Sequence, residues 1–282
     1  MNIFKKYFEK YPERFDEYII MKEKYLNGES LTKICKEGIL IKDRHQLSKL
    51  LKEDNIEIVQ NNQKYKYNEN AFKDINNEEQ AYWLGFMYAD GCINELKMQA
   101  NLTLCGKDIE HVKRFRDFIF PNKDYPLVKK ISYLSNNEKE YYSYRVMISN
   151  TVITQNLINK KCLWNKTFDL DFPSVEIVPD NLMNHFIRGF FDGDGSVFIN
   201  KNRLGVSFVS ASENFLNDLY DYIFEQITIN RNKLYLTKDN NYSLQINSQK
   251  DIENFYNYIY NNSSIFLDRK KEIFDSYYAA HR

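Results

Sequence analysis

The chain has few of the residues that build metal–thiolate sites or disulfide frameworks. Its 282 residues include four cysteines and four histidines, and no two cysteines form a Cys-x-x-Cys pair. Scattered single cysteines exclude a structural zinc site and a disulfide framework of the secreted type. We therefore expect the protein to work in a reduced, intracellular setting: the cytoplasm or nucleoid, or an organelle if the gene is organelle-encoded.

Long apolar stretches are missing as well. The first fifteen residues carry charged side chains throughout and contain no apolar segment of the kind found in a secretory signal. No run elsewhere approaches the roughly 20 apolar residues of a membrane-spanning helix. The sequence thus predicts no membrane partner, while a hydrophobic content of 43% with 16% aromatics is enough for a sizeable core.

An excess of one charge is also absent. Lysine and arginine number 39, aspartate and glutamate number 39, and the net charge is zero, whereas a DNA-binding protein is usually basic. The distribution is uneven, however, because the predicted strand segments 92–105, 127–149, 196–209 and 231–246 hold ten basic and four acidic residues. Basic strands beside acidic helices favour sheets that face phosphate and helices that face water.

One short pattern occurs twice, at 83–91 and at 187–195. Each copy has a glycine, a small residue four positions later, and a final Asp-Gly: these are Gly85 and Gly189, Ala89 and Gly193, and Asp90 and Asp194. Small residues at i and i+4 lie on one helix face and allow close approach of two backbones. Packing along these faces would bring the two aspartates together, and a divalent cation would offset their repulsion.

These segments resemble the nine-residue motif of the LAGLIDADG homing endonucleases, with Tyr88 and Arg188 as departures from it. The resemblance implies a site-specific, double-strand DNA endonuclease of the kind that confers intron mobility. Its cofactor would be Mg²⁺, with Mn²⁺ as a substitute, held by Asp90, Asp194 and the main-chain carbonyls of Ala89 and Gly193. The partner would be a long double-stranded DNA target, cut by a monomer that needs no protein partner.

Both motifs are followed by the same order of signals: a hairpin, a helix, a second hairpin and a closing helix. The predicted helices are 107–120 and 151–161 after the first motif, and 212–224 and 251–260 after the second. The fold class is therefore α+β, with two pseudo-symmetric αββαββα repeats. We assign the first repeat to 77–170, an extended linker to 171–181 and the second repeat to 182–282.

A small all-α domain is predicted for residues 1–55, followed by a polar linker at 56–76. Segments 30–38 and 43–53 form a helix, a glycine-containing turn and a second helix, which is the helix-turn-helix pattern. One interpretation is an accessory DNA-binding module that presents Arg44, His45, Gln46 and Lys49. The alternative is a helical bundle that packs on the remainder of the protein.

Two lysines stand at equal distances from the motif aspartates. Lys166 and Lys270 each follow an Asp by 76 residues, and each ends a Leu-x-x-Lys segment. The resemblance implies that they are active-site lysines, which would polarise water or stabilise the transition state. The alternatives are that both are surface lysines at helix ends, or that Lys271 takes the place of Lys270.

The resemblance also implies that the sheets lie over the major groove of DNA. Base reading would then fall on alternate strand residues, since Arg and Lys read guanine while Asn and Gln read adenine. The candidates are Lys97, Gln99, Asn101, Thr103 and Arg145 in the first half, and Lys201, Arg203, Ser207, Lys233, Tyr235 and Gln245 in the second.

A second function remains open at this stage. A LAGLIDADG protein can keep DNA or RNA binding without cleavage, as transcription regulators and intron maturases of this type do. The presence of both motif aspartates favours the nuclease.

Overall fold

The computed structural model describes residues 3–58, 65–133, 140–162, 170–230 and 233–281. It forms two compact units, Met1–Lys64 and Tyr65–Arg282. This boundary cuts through the predicted linker 56–76, because Ala71, Phe72 and Ile75 are buried in the core of the second unit. Within the described ranges, no helix is both long enough and apolar enough to cross a membrane.

Over residues 3–58, the first unit contains four α-helices: α1 (Ile3–Lys10), α2 (Phe15–Leu26), α3 (Leu31–Glu37) and α4 (Arg44–Glu53). Side-chain caps begin the last two helices, since Ser30 accepts from the Lys33 amide and Asp43 accepts from the amides of His45 and Gln46. Buried apolar side chains from α2, α3 and α4 form a separate small core. The predicted helix–turn–helix order is therefore present, and two further helices precede it.

The second unit contains the predicted αββαββα order twice. The first repeat comprises α5 (Glu78–Ala89), β1 (Gly91–Asn94), β2 (Gln99–Cys105), α6 (Ile109–Ile119), β3 (Val128–Tyr133), β4 (Glu140–Ile148) and α7 (Thr151–Asn159). The second comprises α8 (Met183–Asp194), β5 (Ser196–Asn200), β6 (Arg203–Ser210), α9 (Glu213–Gln226), β7 (Tyr235–Leu236), β8 (Tyr242–Ile246) and α10 (Gln249–Tyr260). A final helix, α11 (Asp268–Ala280), follows and was not predicted.

Each repeat folds its strands into one antiparallel sheet with the same topology, β1-β2-β4-β3 and β5-β6-β8-β7. The register pairs Leu102 with Val146 and Val206 with Ile246, so alternate apolar residues share the face that covers the core. The residues between them occupy the opposite face of each sheet. Two identical topologies confirm the internal repeat and provide two polar sheet faces.

The two motif helices, α5 and α8, form the centre of the second unit. Every residue from Ala81 to Tyr88 is buried, so α5 has no solvated face along that stretch. The helices cross at their glycines: a Cβ added to Gly189 would overlap the Tyr82 carbonyl oxygen and lie 2.9 Å from the Phe86 nitrogen. A Cβ added to Gly85 would meet the equivalent backbone atoms of α8 in the same way. The predicted close approach of the two motif helices through small residues is therefore confirmed.

Candidate active site

The carboxyl-terminal ends of α5 and α8 lie side by side, and each carries an exposed aspartate. A Cβ built on Gly193 would lie 3.4 Å from the Asp90 carboxylate, so Asp90 reaches the last turn of the opposite helix. Asp194 lines a cleft of about 420 Å³ together with Ala89, Cys92 and Asn241, which come from both repeats. Burial of the two helices thus holds two carboxylates at an accessible point between the halves.

Lys270 lies beside the end of α8, next to this point. Its side chain is only 4% exposed, and its ammonium donates to the carbonyls of Phe191 (2.6 Å), Gly193 (3.1 Å) and Gly195. Three carbonyl acceptors match the three donors of a protonated lysine, and a cation at a helix carboxyl end is favourable. Burial lowers the pKa of Lys270 to about 8, against the opposing effects of Asp192, Asp90 and Asp194.

The two lysines left open by the sequence differ in position. Lys271 pairs with Asp275 at 2.7 Å, whereas Lys270 donates to the Gly193 carbonyl next to Asp194, so the geometry favours Lys270. The interpretation of Lys270 as a surface lysine is wrong, because this side chain, in the first turn of the unpredicted helix α11, is buried and donates to the Phe191 carbonyl of α8. Lys166 lies outside the described residues.

A buried carboxylate next to Lys270 was not among the predicted site residues. Asp192 is fully buried and accepts hydrogen bonds from the Tyr82 hydroxyl (2.8 Å), the Tyr260 hydroxyl (2.8 Å) and the Leu267 amide (2.7 Å). Burial raises the pKa of Asp192, while Lys270 and the three donors act in the opposite direction. Asp192 occupies the sixth position of its motif. No local sequence pattern indicates that Tyr82 and Tyr260, which are distant in the chain, bind to it.

Arg188, the motif departure in the second repeat, is a buried link between the halves. Its guanidinium donates to the Ile265 carbonyl (2.8 Å) and the Ile259 carbonyl (2.7 Å), and it pairs with Glu78 at 2.6 Å. Glu78 also accepts from the Ser264 amide and hydroxyl, both at 2.7 Å. A long polar side chain is accommodated here because each of its nitrogens has an oxygen acceptor. Segment 259–270 is thereby fixed to both motif helices.

His111 extends the polar chain from Asp192 into the first repeat. Its Nε2 lies 2.8 Å from the Tyr82 hydroxyl, which donates to Asp192. Nε2 must therefore carry the hydrogen, and Nδ1 has no hydrogen-bond partner among the described residues. Burial, reinforced by Arg114 and Arg269, lowers the pKa of His111 to about 3. The ring is neutral at physiological pH.

Acid should destabilise the second unit through this histidine. The unfolded state binds a proton near pH 6.5 and the folded state near pH 3. The free energy of unfolding should therefore fall as the pH drops between these values, by about 1.4 kcal/mol per pH unit from this group. His111→Gln keeps a donor for Tyr82 but does not titrate. Chemical denaturation should show the wild type losing stability faster than the variant below pH 6, and parallel curves would contradict this account.

The donor atoms at the helix ends are suited to Mg²⁺. Carboxylate and carbonyl oxygens are its preferred protein ligands, and it commonly takes one or two carboxylates together with water and substrate phosphate. No group of three or more His, Cys, Asp or Glu side chains that could hold a metal occurs in the described ranges. A metal here would depend on Asp90, Asp194, main-chain carbonyls, water and phosphate. The Gly193 carbonyl already accepts from Lys270, which leaves its second lone pair.

The predicted base-reading residues of the first repeat share one sheet face. Gln99, Asn101 and Thr103 alternate with buried residues along β2, and Arg145 pairs with Thr103, whose hydroxyl accepts from the arginine Nε at 2.9 Å. Lys97 lies in the turn between β1 and β2. These side chains form a contiguous polar surface on the side opposite the core.

The second repeat has an equivalent but less polar face. Arg203 and Ser207 alternate with buried residues of β6, Gln245 pairs with Ser207, and the register places Tyr235 on the same side. Ser207 is itself buried, whereas Arg203 is exposed, so Ser207 is poorly placed for the predicted base reading. Lys201 occupies a two-residue hairpin turn, and Lys233 is exposed before β7. The two faces therefore differ in shape and in chemistry.

In the first unit, α4 presents Arg44, His45 and Lys49 to solvent. Gln46 is different, because its amide donates to the Tyr7 hydroxyl at 2.9 Å and so serves packing within the unit. Lys52 is exposed and follows His45 and Lys49 at helical spacing. The accessible face of α4 therefore has Lys52 in place of the predicted Gln46.

Comparisons with known proteins agree with this architecture. A family model described as a LAGLIDADG-like domain matches residues 181–260. The homing endonuclease I-WcaI, bound to its DNA recognition sequence, has a similar structure with a TM-score of 0.53 and 13% identity, over 71% of this chain and 90% of that chain. WhiA from Thermatoga maritima has a TM-score of 0.46 and 16% identity, over 76% of this chain and 66% of that one.

Among curated proteins, a probable translation initiation factor IF-2 from Methanocaldococcus jannaschii is similar, with 27% identity over 197 residues. The match spans 62% of this chain but 14% of that protein's length. The matched domain contains the second motif helix, and the overall fold contains two equivalent repeats. The chain therefore contains a LAGLIDADG-like domain at residues 181–260, and its second unit has the two-repeat fold of the LAGLIDADG homing endonuclease structures.

Proposed function

We propose that this protein is a Mg²⁺-dependent endonuclease that hydrolyses both strands of a long double-stranded DNA target. One observation carries the proposal: two exposed aspartates, Asp90 and Asp194, meet at the ends of two helices whose own burial fixes them there. Two ionised carboxylates held close together repel each other, so the pair costs folding free energy unless a cation lies between them. They are suited to binding a cation that also binds phosphate.

Phosphodiester hydrolysis needs an activated water, charge neutralisation at phosphorus and assistance to the leaving oxygen. Mg²⁺ bound by Asp90 and Asp194 would supply these effects, and Mn²⁺ would serve as a substitute. The chain itself holds the carboxylates in place through the helix crossing. Lys270 neutralises the carbonyl end of α8, and its positive charge would stabilise the charge that develops on a phosphate bound there.

The outer faces of the two sheets are the proposed DNA-binding surface. Each is polar, and each lies opposite the face that covers the core. Because the two faces differ in side chains, we expect a target whose two halves differ in sequence. The similarity in fold to I-WcaI, which was solved on its DNA recognition sequence, supports this surface.

The first unit is proposed as an accessory DNA-binding module acting through α4. Replacing Arg44 and Lys49 with alanine should weaken DNA binding and reduce the slope of log K against log salt by about 2, since each phosphate contact contributes about 1. Titration of a labelled target over a range of salt concentrations measures both quantities.

A matched control removes the same charge from the same unit. Lys24 and Lys33 are ion-paired with Glu37 and Glu29 at 2.7 Å and 2.9 Å, so Lys24→Ala with Lys33→Ala should leave the slope near that of the wild type. Equal effects of the two double variants would indicate that DNA is attracted by the overall charge of the unit, and the proposed role of α4 would be wrong.

The proposed activity is tested by offering the protein a randomised library of long duplexes with Mg²⁺ and sequencing the cut ends. Cleavage of both strands at one recurring sequence is expected. Recurrent binding of one sequence without any cut would support the non-cleaving alternative, a DNA- or RNA-binding regulator or maturase.

A further inference from the structure

Asp192 and Lys270 form a connected unit in the second half of the candidate active site. Asp192 accepts a hydrogen bond from the Leu267 amide. Leu267 is the N-cap residue of α11, and its own side chain does not cap the helix. The Lys270 amide in turn donates to the Leu267 carbonyl at 3.0 Å. The buried carboxylate thus fixes the turn from which Lys270 projects toward Gly193.

The first repeat is built differently at the equivalent place. Tyr88 occupies the sixth position of the first motif, and its hydroxyl donates to the Lys160 carbonyl. The Met87 carbonyl, equivalent to that of Phe191, accepts from the Cys162 thiol at 3.4 Å. The sixth motif position is therefore occupied by a neutral tyrosine in the first repeat and by a buried carboxylate, Asp192, in the second.

We propose that Asp192 is a positioning residue that sets Lys270 for cleavage of one DNA strand, so that its loss slows that strand selectively and leaves a nicked product. The inference rests on the proposed nuclease function. In a pseudo-twofold site, equivalent groups of the two halves serve opposite scissile phosphates. A defect confined to one half should therefore affect one strand, whereas general destabilisation affects both.

The substitution that tests this is Asp192→Asn, which keeps the shape but has one acceptor oxygen where Asp192 serves three donors with two. It therefore weakens the bond to the Leu267 amide and removes the charge that attracts Lys270. A target duplex with a different dye on each strand gives separate single-turnover rates with Mg²⁺. The ratio of the two strand rates should change by about tenfold or more, since misplacement of a catalytic group by 1 Å can cost about 100-fold.

The matched control is Asp251→Asn in the same repeat. Asp251 is also buried, but it accepts from the amide and side chain of Asn230, away from Lys270. This variant should change both strand rates by the same factor. Tyr260→Phe, which removes one donor to Asp192, should shift the ratio in the same direction as Asp192→Asn but less. Equal slowing of both strands by Asp192→Asn, or no slowing, overturns the proposal.

A second readout separates this inference from the nuclease function itself. Acylation of lysines followed by mass spectrometry should find Lys270 protected in the wild type and at least about tenfold more reactive in Asp192→Asn, while Lys271 changes little. Unchanged protection of Lys270 would overturn the positioning role. If Lys270 became more reactive in Asp192→Asn but the wild type never cut DNA, the positioning role of Asp192 would be supported and the proposed nuclease function would be wrong.

Discussion

Cleavage of a bound DNA target will fall by about 10²- to 10³-fold when either Asp90 or Asp194 is replaced by asparagine, the scale expected when one electrostatic contributor to a transition state is removed. Both side chains are exposed at the helix ends, so neither substitution disturbs the core. Asparagine keeps the size of the side chain but loses the charge that would hold Mg²⁺.

Binding and cleavage should separate in these variants. Removing a negative charge next to the phosphate backbone should leave DNA affinity unchanged or tighter, measured by titration of labelled target. Asp124→Asn is the control, since Asp124 is an exposed carboxylate in the loop between α6 and β3, and cleavage should stay at the wild-type rate. Retained cleavage in both motif variants would mean that the aspartates do not hold the metal.

Replacing Gly85 or Gly189 with alanine should destabilise the second unit by about 3 kcal/mol or more, the upper range for overpacking a core. The added Cβ would overlap a backbone carbonyl of the opposite helix, and backbone cannot rotate away as a side chain can. Both tryptophans of the chain, at 83 and 164, belong to the second unit. Denaturant titration followed by tryptophan fluorescence therefore reports on this unit.

Gly106→Ala provides the control for these glycine variants. Its added Cβ would lie 3.1 Å from the nearest atom, the Tyr142 carbonyl oxygen, so a small backbone adjustment can relieve the contact. We expect a change within about 1 kcal/mol. If Gly85→Ala and Gly189→Ala were as mild as this control, the close helix crossing would be wrong.

Much of the second unit could be predicted from sequence because its signals are local. The alternation in β2, the small residues in α5 and α8, and the Asp-Gly ends each specify a face or a terminus from a few neighbouring residues. Because each signal occurs in both halves of the chain, the second copy supports the interpretation of the first. The helix crossing and the αββαββα order both followed from these short-range patterns.

The polar network could not be predicted because its members are distant in sequence. Tyr82, Asp192 and Tyr260 are separated by more than 60 residues, and each resembles an ordinary core or surface residue when taken alone. Arg188 departs from the motif, but two of its partners, the carbonyls of Ile259 and Ile265, lie in a segment with no recognisable pattern. Burial of Lys270 depended on α11, which returns the chain to the motif helices.

The 65–76 segment shows the same limit at a domain boundary. Its composition is polar, as expected of a linker, yet Ala71, Phe72 and Ile75 are enough to anchor it to the core. Average composition cannot detect three well-placed side chains. In the first unit, likewise, the contact of Gln46 with Tyr7 depended on α1.

We propose that Asp90 and Asp194 hold Mg²⁺ at a site that hydrolyses DNA. The most direct test selects a target by binding alone, in the absence of divalent metal, and then adds Mg²⁺ to the wild-type complex while both strands are followed on a denaturing gel. We predict that both strands are cut after the addition and that neither is cut before it. A tightly bound target that stays intact at every Mg²⁺ concentration would contradict the claim.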